Sequence, residues 1–135
     1  MATELARNPW GIYLHHEAEG ILELRWLPST AEMGDPGMRA SLALFALEAE
    51  QVRPKYLLVD GLEFRHRPVE GFIEWRNACI IPRYGSAGVQ KFAFIVPAGF
   101  PGTVESGGKE QIDGPAIFPT AWFSERQNAL NWLRP

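Results

Sequence analysis

Cys79 is the only cysteine in the chain. No intramolecular disulfide can brace the fold, and only an intermolecular bond stays open, a usage that fits a reducing compartment. Long apolar runs are missing too. None approaches the roughly 20 residues that cross a bilayer, so a membrane span is excluded. The N-terminal MATELARNPW lacks the apolar stretch and cleavage pattern of a secretory signal. The expectation is a cytoplasmic protein. Basic residues are sparse: 13 Lys and Arg stand against 16 Asp and Glu, a net charge of −3. Beyond Arg65 and Arg67 there is no basic stripe to neutralise a run of phosphates, which argues against nucleic acid as a partner. Internal repeats and low-complexity tracts are also absent.

What is present is ordinary globular material, 46% hydrophobic and 21% charged over 135 residues. A domain of about 150 residues buries roughly 68–70% of its unfolded surface, enough for a core without metals or disulfides. The reading is one domain over residues 1–135, with residues 1–9 as an N-terminal extension and 97–119 as a Gly/Pro-rich loop. Trp10–Glu17 and Ile21–Leu27 read as strands joined by a tight hairpin at Ala18-Glu19-Gly20. In the second, Leu22, Leu24 and Trp26 share an apolar face, opposite Ile21, Glu23, Arg25 and Leu27. Pro28–Gly37 is loop by composition. Asp35-Pro36 then suits a helix start, with Asp as N-cap and Pro in the first turn. Met38, Leu42, Phe45, Ala49 and Val52 keep the spacing of one helical face, which ends by Pro54. Leu44 and Leu47 fall on its other side.

Tyr56–Val59 is a continuous apolar run, as a parallel strand covered on both faces requires. Pro68 opens a second expected helix, with Val69, Phe72, Ile73, Cys79 and Ile80 as its apolar face and Pro82 as its end; on that face Cys79 is expected in the core. Residues 83–88 read as loop and Gln90–Val96 as a strand. Pro97–Pro119 reads as a mobile loop, the length of a lid or binding segment, with room for one short turn near Glu105–Gln111. Thr120–Phe123 is a last short strand. Ser124-Glu125-Arg126-Gln127 fits a capping box before a helix whose stripe is Ala129, Trp132 and Leu133.

These elements predict an α/β fold with a mixed, mainly parallel sheet of about five strands, an N-terminal antiparallel hairpin and helices packed against it. With Lys55-Tyr56-Leu57-Leu58-Val59-Asp60, Lys91-Phe92-Ala93-Phe94-Ile95-Val96-Pro97 and Phe123-Ser124 followed by Ala129, Trp132 and Leu133, the chain resembles the SpoIIAA-like branch of STAS-type domains from about Ile12 to Leu133. The resemblance implies that same sheet, often assembled as a homodimer. In the family's anti-sigma-factor antagonists a serine after the equivalent strand is phosphorylated to switch partner binding. Here Asp60-Gly61-Leu62-Glu63-Phe64-Arg65-His66-Arg67 holds no serine or threonine, so that switch does not carry over. The family also resembles lipid-transfer domains in topology, which is analogy alone.

The segment Lys55–Pro68 organises the candidate chemistry, because ligands in open α/β sheets gather beyond the carboxyl ends of strands. Asp60, Glu63 and His66 would suit general-base work if they converged. Against that stands a solvated loop with Asp60 capping its turn. His15 and His16 point to opposite sides of a strand, so a shared metal is disfavoured and no metal site is expected. Arg65, Trp75, Arg76, Arg83 and Tyr84 could hold an anionic or flat ligand through N–H donors and stacking. Ser106-Gly107-Gly108-Lys109 lacks the GxxxxGK(S/T) spacing of a phosphate loop. No catalytic residue and no cofactor is assigned. The first reading is therefore a non-catalytic, STAS-like regulatory or interaction module that binds a protein partner or assembles as a homodimer, with Leu44 and Leu47 in its outward apolar patch. The second is a sensor for a small apolar, anionic or lipid-like ligand, with a pocket between the Asp60–Arg67 loop, the second helix and the 97–119 loop. A hydrolase using Asp60, Glu63 and His66 comes third.

Overall fold

Two-residue alternation in the first third of the chain and apolar runs in the rest build a single sheet. The computed structural model describes residues 2–135. Its strands are β1 (Thr3–Asn8), β2 (Gly11–His16), β3 (Ile21–Trp26), β4 (Tyr56–Asp60), β5 (Lys91–Ile95) and β6 (Thr120–Phe123). They lie side by side in sequence order. The first three pair antiparallel and β3 to β6 pair parallel. This is the expected mixed α/β sheet, with six strands rather than about five. The added strand is β1, in the segment taken as an extension. Its sequence TELARN is mostly polar and no residue of it is fully buried, as suits an edge strand. Asn8 turns the chain into β2 by accepting the backbone N–H groups of Trp10 and Gly11, both at 2.9 Å.

The β2–β3 connection is the expected hairpin, made with a 3-10 turn at Glu17–Glu19 and closed by Gly20 at φ +71°, where glycine has no Cβ penalty. Helix α1 (Gly34–Val52) crosses from β3 to β4. It buries Met38, Leu42, Phe45 and Ala49 as its spacing requires, together with Ser41 and Ala46. Tyr13 reaches from the sheet to donate to the Ser41 carbonyl at 2.7 Å. Burial pushes this phenol up to about 12, against the hydrogen bond at Ser41 that lowers it.

Helix α2 (Phe72–Cys79) and helix α3 (Ile81–Ser86) form the crossover from β4 to β5. Here the sequence reading is corrected. Pro82 does not close a helix but sits in the first turn of α3, where its missing N–H costs nothing. Of residues 83–88, which read as loop, 83–86 are helical, and Tyr84 is buried. The helix starts at Phe72 rather than at Pro68 and breaks at Ile80, so the expected apolar positions do not share one helical face. Phe72 and Ile80 remain buried, whereas Val69, Ile73 and Cys79 are exposed.

Two expected caps are also absent. Asp35 lies inside α1 and binds Arg39 at 2.9 Å rather than capping. Ser124 makes no side-chain cap on α4 (Arg126–Leu133); its N–H donates to Glu105 instead.

The helices divide unequally between the two faces. The larger core joins Tyr13, Leu22, Leu24, Leu57 and Phe92 of the sheet to α1, α2 and α3. On the other face Ile21, Leu58, Ala93, Ile95 and Phe123 pack against Ala129 and Leu133 of α4. No helix crosses from β5 to β6. That connection is the irregular 97–119 segment, with one 3-10 turn at Val104–Ser106. It is tied down by buried Thr103, by Glu105 bound to the Ser124 N–H and Asn128, and by Gln111 paired with Thr120.

Candidate functional site

A missing crossover helix leaves the α1–α3 face uncovered near β5 and β6, and the sheet fills that space with rings. Phe92 and Phe94 stack at 4.5 Å, and Phe94 stacks on Trp122 at 5.7 Å. Neither Phe94 nor Trp122 is fully buried. Between these rings, α1, α2 and the loop after β4 lies a cavity of about 540 Å³. Its floor is Phe45, Val59, Tyr84 and Phe92, all buried. Pro68, Pro97 and Phe100 stand at the exposed rim, Phe100 being 45% exposed. The volume lies within the range of about 300–1,000 Å³ found for small-molecule sites. Its place beyond the carboxyl ends of parallel strands is where open α/β sheets bind ligands.

The loop after β4 is fixed at three points. Asp60 accepts the Leu62 N–H at 3.2 Å, Gly61 donates to the Ile95 carbonyl at 2.8 Å, and Arg65 N–H donates to the buried Thr30 hydroxyl at 2.8 Å. Phe64 is thereby set against Trp26 at 5.0 Å and His66 against Phe64 at 6.1 Å. Three polar side chains line the cavity: His66, Arg76 and Tyr84. Arg76 Nε and His66 Nε2 are buried and have no protein partner among the described residues. Burial lowers the Arg76 guanidinium from its ordinary value and raises the Tyr84 phenol.

Of the residues singled out in the sequence, only these three meet in the cavity. Asp60 turns to the opposite face, where its carboxylate lies 3.4 Å from Arg126. Glu63 and Arg65 form an exposed pair at 3.2 Å. His66 bonds to neither carboxylate among the described residues, so the general-base arrangement is not assembled. Trp75 is half-buried between Phe72 and the Arg39 guanidinium, which sits 5.1 Å from its ring. Arg83 binds Glu50 at 2.9 Å. On α1, Leu44 packs against the core and Leu47 is 44% exposed. Among the described residues no three His, Cys, Asp or Glu side chains gather as a metal site, and no helix is long and apolar enough to cross a membrane.

A second polar cluster went unread in the sequence. Glu23 lies on the strand face opposite Leu22, Leu24 and Trp26, yet it is completely buried. Arg126 clasps it at 2.6 and 3.0 Å, His16 lies at 2.7 Å and Arg25 at 3.3 Å. Burial would raise this carboxyl, but the Arg126 hydrogen bond and charge, with His16 and Arg25, outweigh it and hold it below the usual value. Arg126 is raised in turn, chiefly by its bond to Glu23. Every oxygen of Glu23 is engaged, so the cluster joins α4 to the sheet and leaves no free acceptor there. The fold and cavity define an α/β protein with a partly enclosed apolar site. Family models, curated proteins and solved structures offer no match to the chain.

Proposed function

We propose that the protein is a non-catalytic, STAS-like regulatory module whose input is one small, mainly apolar molecule. The observation that carries this reading is the 540 Å³ cavity, floored by rings and rimmed by the loops after β4 and β5. The hydrolase reading loses its support, because Asp60, Glu63 and His66 serve three different environments. Native mass spectrometry of protein purified gently from its own host tests the proposal. A retained small molecule supports it and its mass begins to name the ligand. A bare polypeptide mass, together with no uptake of added apolar molecules, would overturn it.

Assembly as a homodimer is a second reading, supported by the exposed Leu47 on α1. Leu44 contributes less, since it already packs against the core. Sedimentation velocity of Leu47→Asp tests it: a dimer that becomes a monomer supports the interface, and an unchanged species removes it.

A further inference from the structure

Resting on the ligand-binding reading above, we infer that the ligand is a monoanionic amphiphile, an acyl or aryl carboxylate whose head group is held by Arg76. The cavity lining contains no Asp or Glu. Its polar side chains are a guanidinium, an imidazole and a phenol, each able to donate a hydrogen bond. A cationic ligand would find no counter-charge there. Arginine stays protonated in proteins, so the site carries one fixed positive charge.

That charge is unspent. Arg39 and Arg83, on the neighbouring helices, hold Asp35 and Glu50 at 2.9 Å each. Arg76 has no carboxylate within ion-pair distance among the described residues; one nitrogen donates to the Asn77 amide oxygen at 3.1 Å. Its Nε is buried with no protein partner. A guanidinium without a counter-charge is costly in an apolar lining, and a ligand carboxylate meets that charge in a geometry suited to guanidinium. His66 lines the same cavity from the loop after β4 and adds a second polar side chain without acidic character. The remaining lining is aliphatic and aromatic, which matches a tail rather than a second charged group. A single guanidinium suits a carboxylate better than a phosphate dianion, which calls for more than one cation.

Matched ligand pairs separate this inference from the reading beneath it. Calorimetric titrations would use decanoate and 1-decanol, then 2-naphthoate and 2-naphthalenemethanol, with wild type, Arg76→Gln and Arg76→Lys. A hydrogen bond to a charged group contributes about 1.5–3 kcal/mol, so wild type should prefer each acid by about ten- to a hundredfold. Arg76→Gln should lose that preference while still binding the alcohols, which also shows that it has folded. Arg76→Lys should recover part of it. Stronger preference within the decanoyl or the naphthyl pair tells an acyl ligand from an aryl one. Equal binding of acid and alcohol by wild type would overturn the acidic head group and leave the apolar cavity standing. Binding of neither would overturn the ligand-binding reading, and this inference with it.

Discussion

Glu23 and Arg126 should respond unequally to substitution, because only one of the two charges is out of reach of water. Glu23 is fully buried, whereas the Arg126 and Arg25 side chains are 35% and 43% exposed. Replacing Arg126 by Met strands a buried carboxylate with His16 and Arg25 as its remaining partners. Breaking a buried pair in this way costs about 3–5 kcal/mol. Replacing Glu23 by Gln keeps the volume and leaves the positive charges able to turn to solvent, so its cost is screened to about 1–2 kcal/mol. With a urea m-value of about 1.5 kcal/mol/M, the midpoint should fall by roughly 2–3 M for Arg126→Met and about 1 M for Glu23→Gln. The pH dependence follows from the lowered Glu23 carboxyl. A depressed carboxyl contributes stability in full above its unfolded value of about 4.3, and loses it as pH falls through the lower folded value. The gap between wild type and Arg126→Met should therefore narrow as pH falls below the unfolded value and through the lower folded one. Urea titrations at pH 7 and across the acid range measure both effects. A larger loss for Glu23→Gln than for Arg126→Met would refute the argument from unequal burial.

Three further outcomes are expected. Along a homologous series of straight-chain carboxylates, each methylene should tighten binding about fourfold, from roughly 0.8 kcal/mol per buried CH₂, until the cavity is full; calorimetry would show a flat series if the tail is not enclosed. Cys79 is exposed, so native protein should react promptly and fully with Ellman's reagent, and Cys79→Ser should change stability by no more than about 0.5 kcal/mol in thermal melts. A Cβ at Gly108 would stand 2.0 Å from the Gly102 carbonyl oxygen, so Gly108→Ala should force the 97–119 segment to shift. Faster hydrogen exchange there, with β3 and β4 unchanged, is the expected sign; unaltered exchange would contradict it.

How much could be read in advance depended on whether the deciding contact was local. The α1 stripe and the β4 run announce themselves within a few residues: Met38, Leu42, Phe45 and Ala49 are buried as the spacing requires, though Val52 is only half-buried and Ser41 and Ala46 join them. Strand β1 does not, because an edge strand needs little apolar surface and TELARN supplies little. Glu23 was misjudged for the opposite reason. Its alternation with Leu22 and Leu24 is as the pattern has it, but its cover comes from Arg126, 103 positions later, so that Glu23 is buried on the opposite face as well. Cys79 depended on one helix running from Pro68 to its end at Pro82; the helix instead starts at Phe72 and ends at Cys79, which is exposed. The cavity lay between the three segments expected to frame a pocket, and His66, Arg76 and Tyr84 were among its expected residues. Its rings from β3, β5 and β6 were not, since only the parallel register that sets Phe94 beside Trp122 brings them together.

The most direct test of the central claim is calorimetric titration of the whole protein with 1-decanol, an uncharged apolar molecule, at two temperatures. The account predicts saturable uptake of one molecule per chain, with a negative heat-capacity change from burial of apolar surface. Absence of saturable binding up to the solubility limit would contradict it.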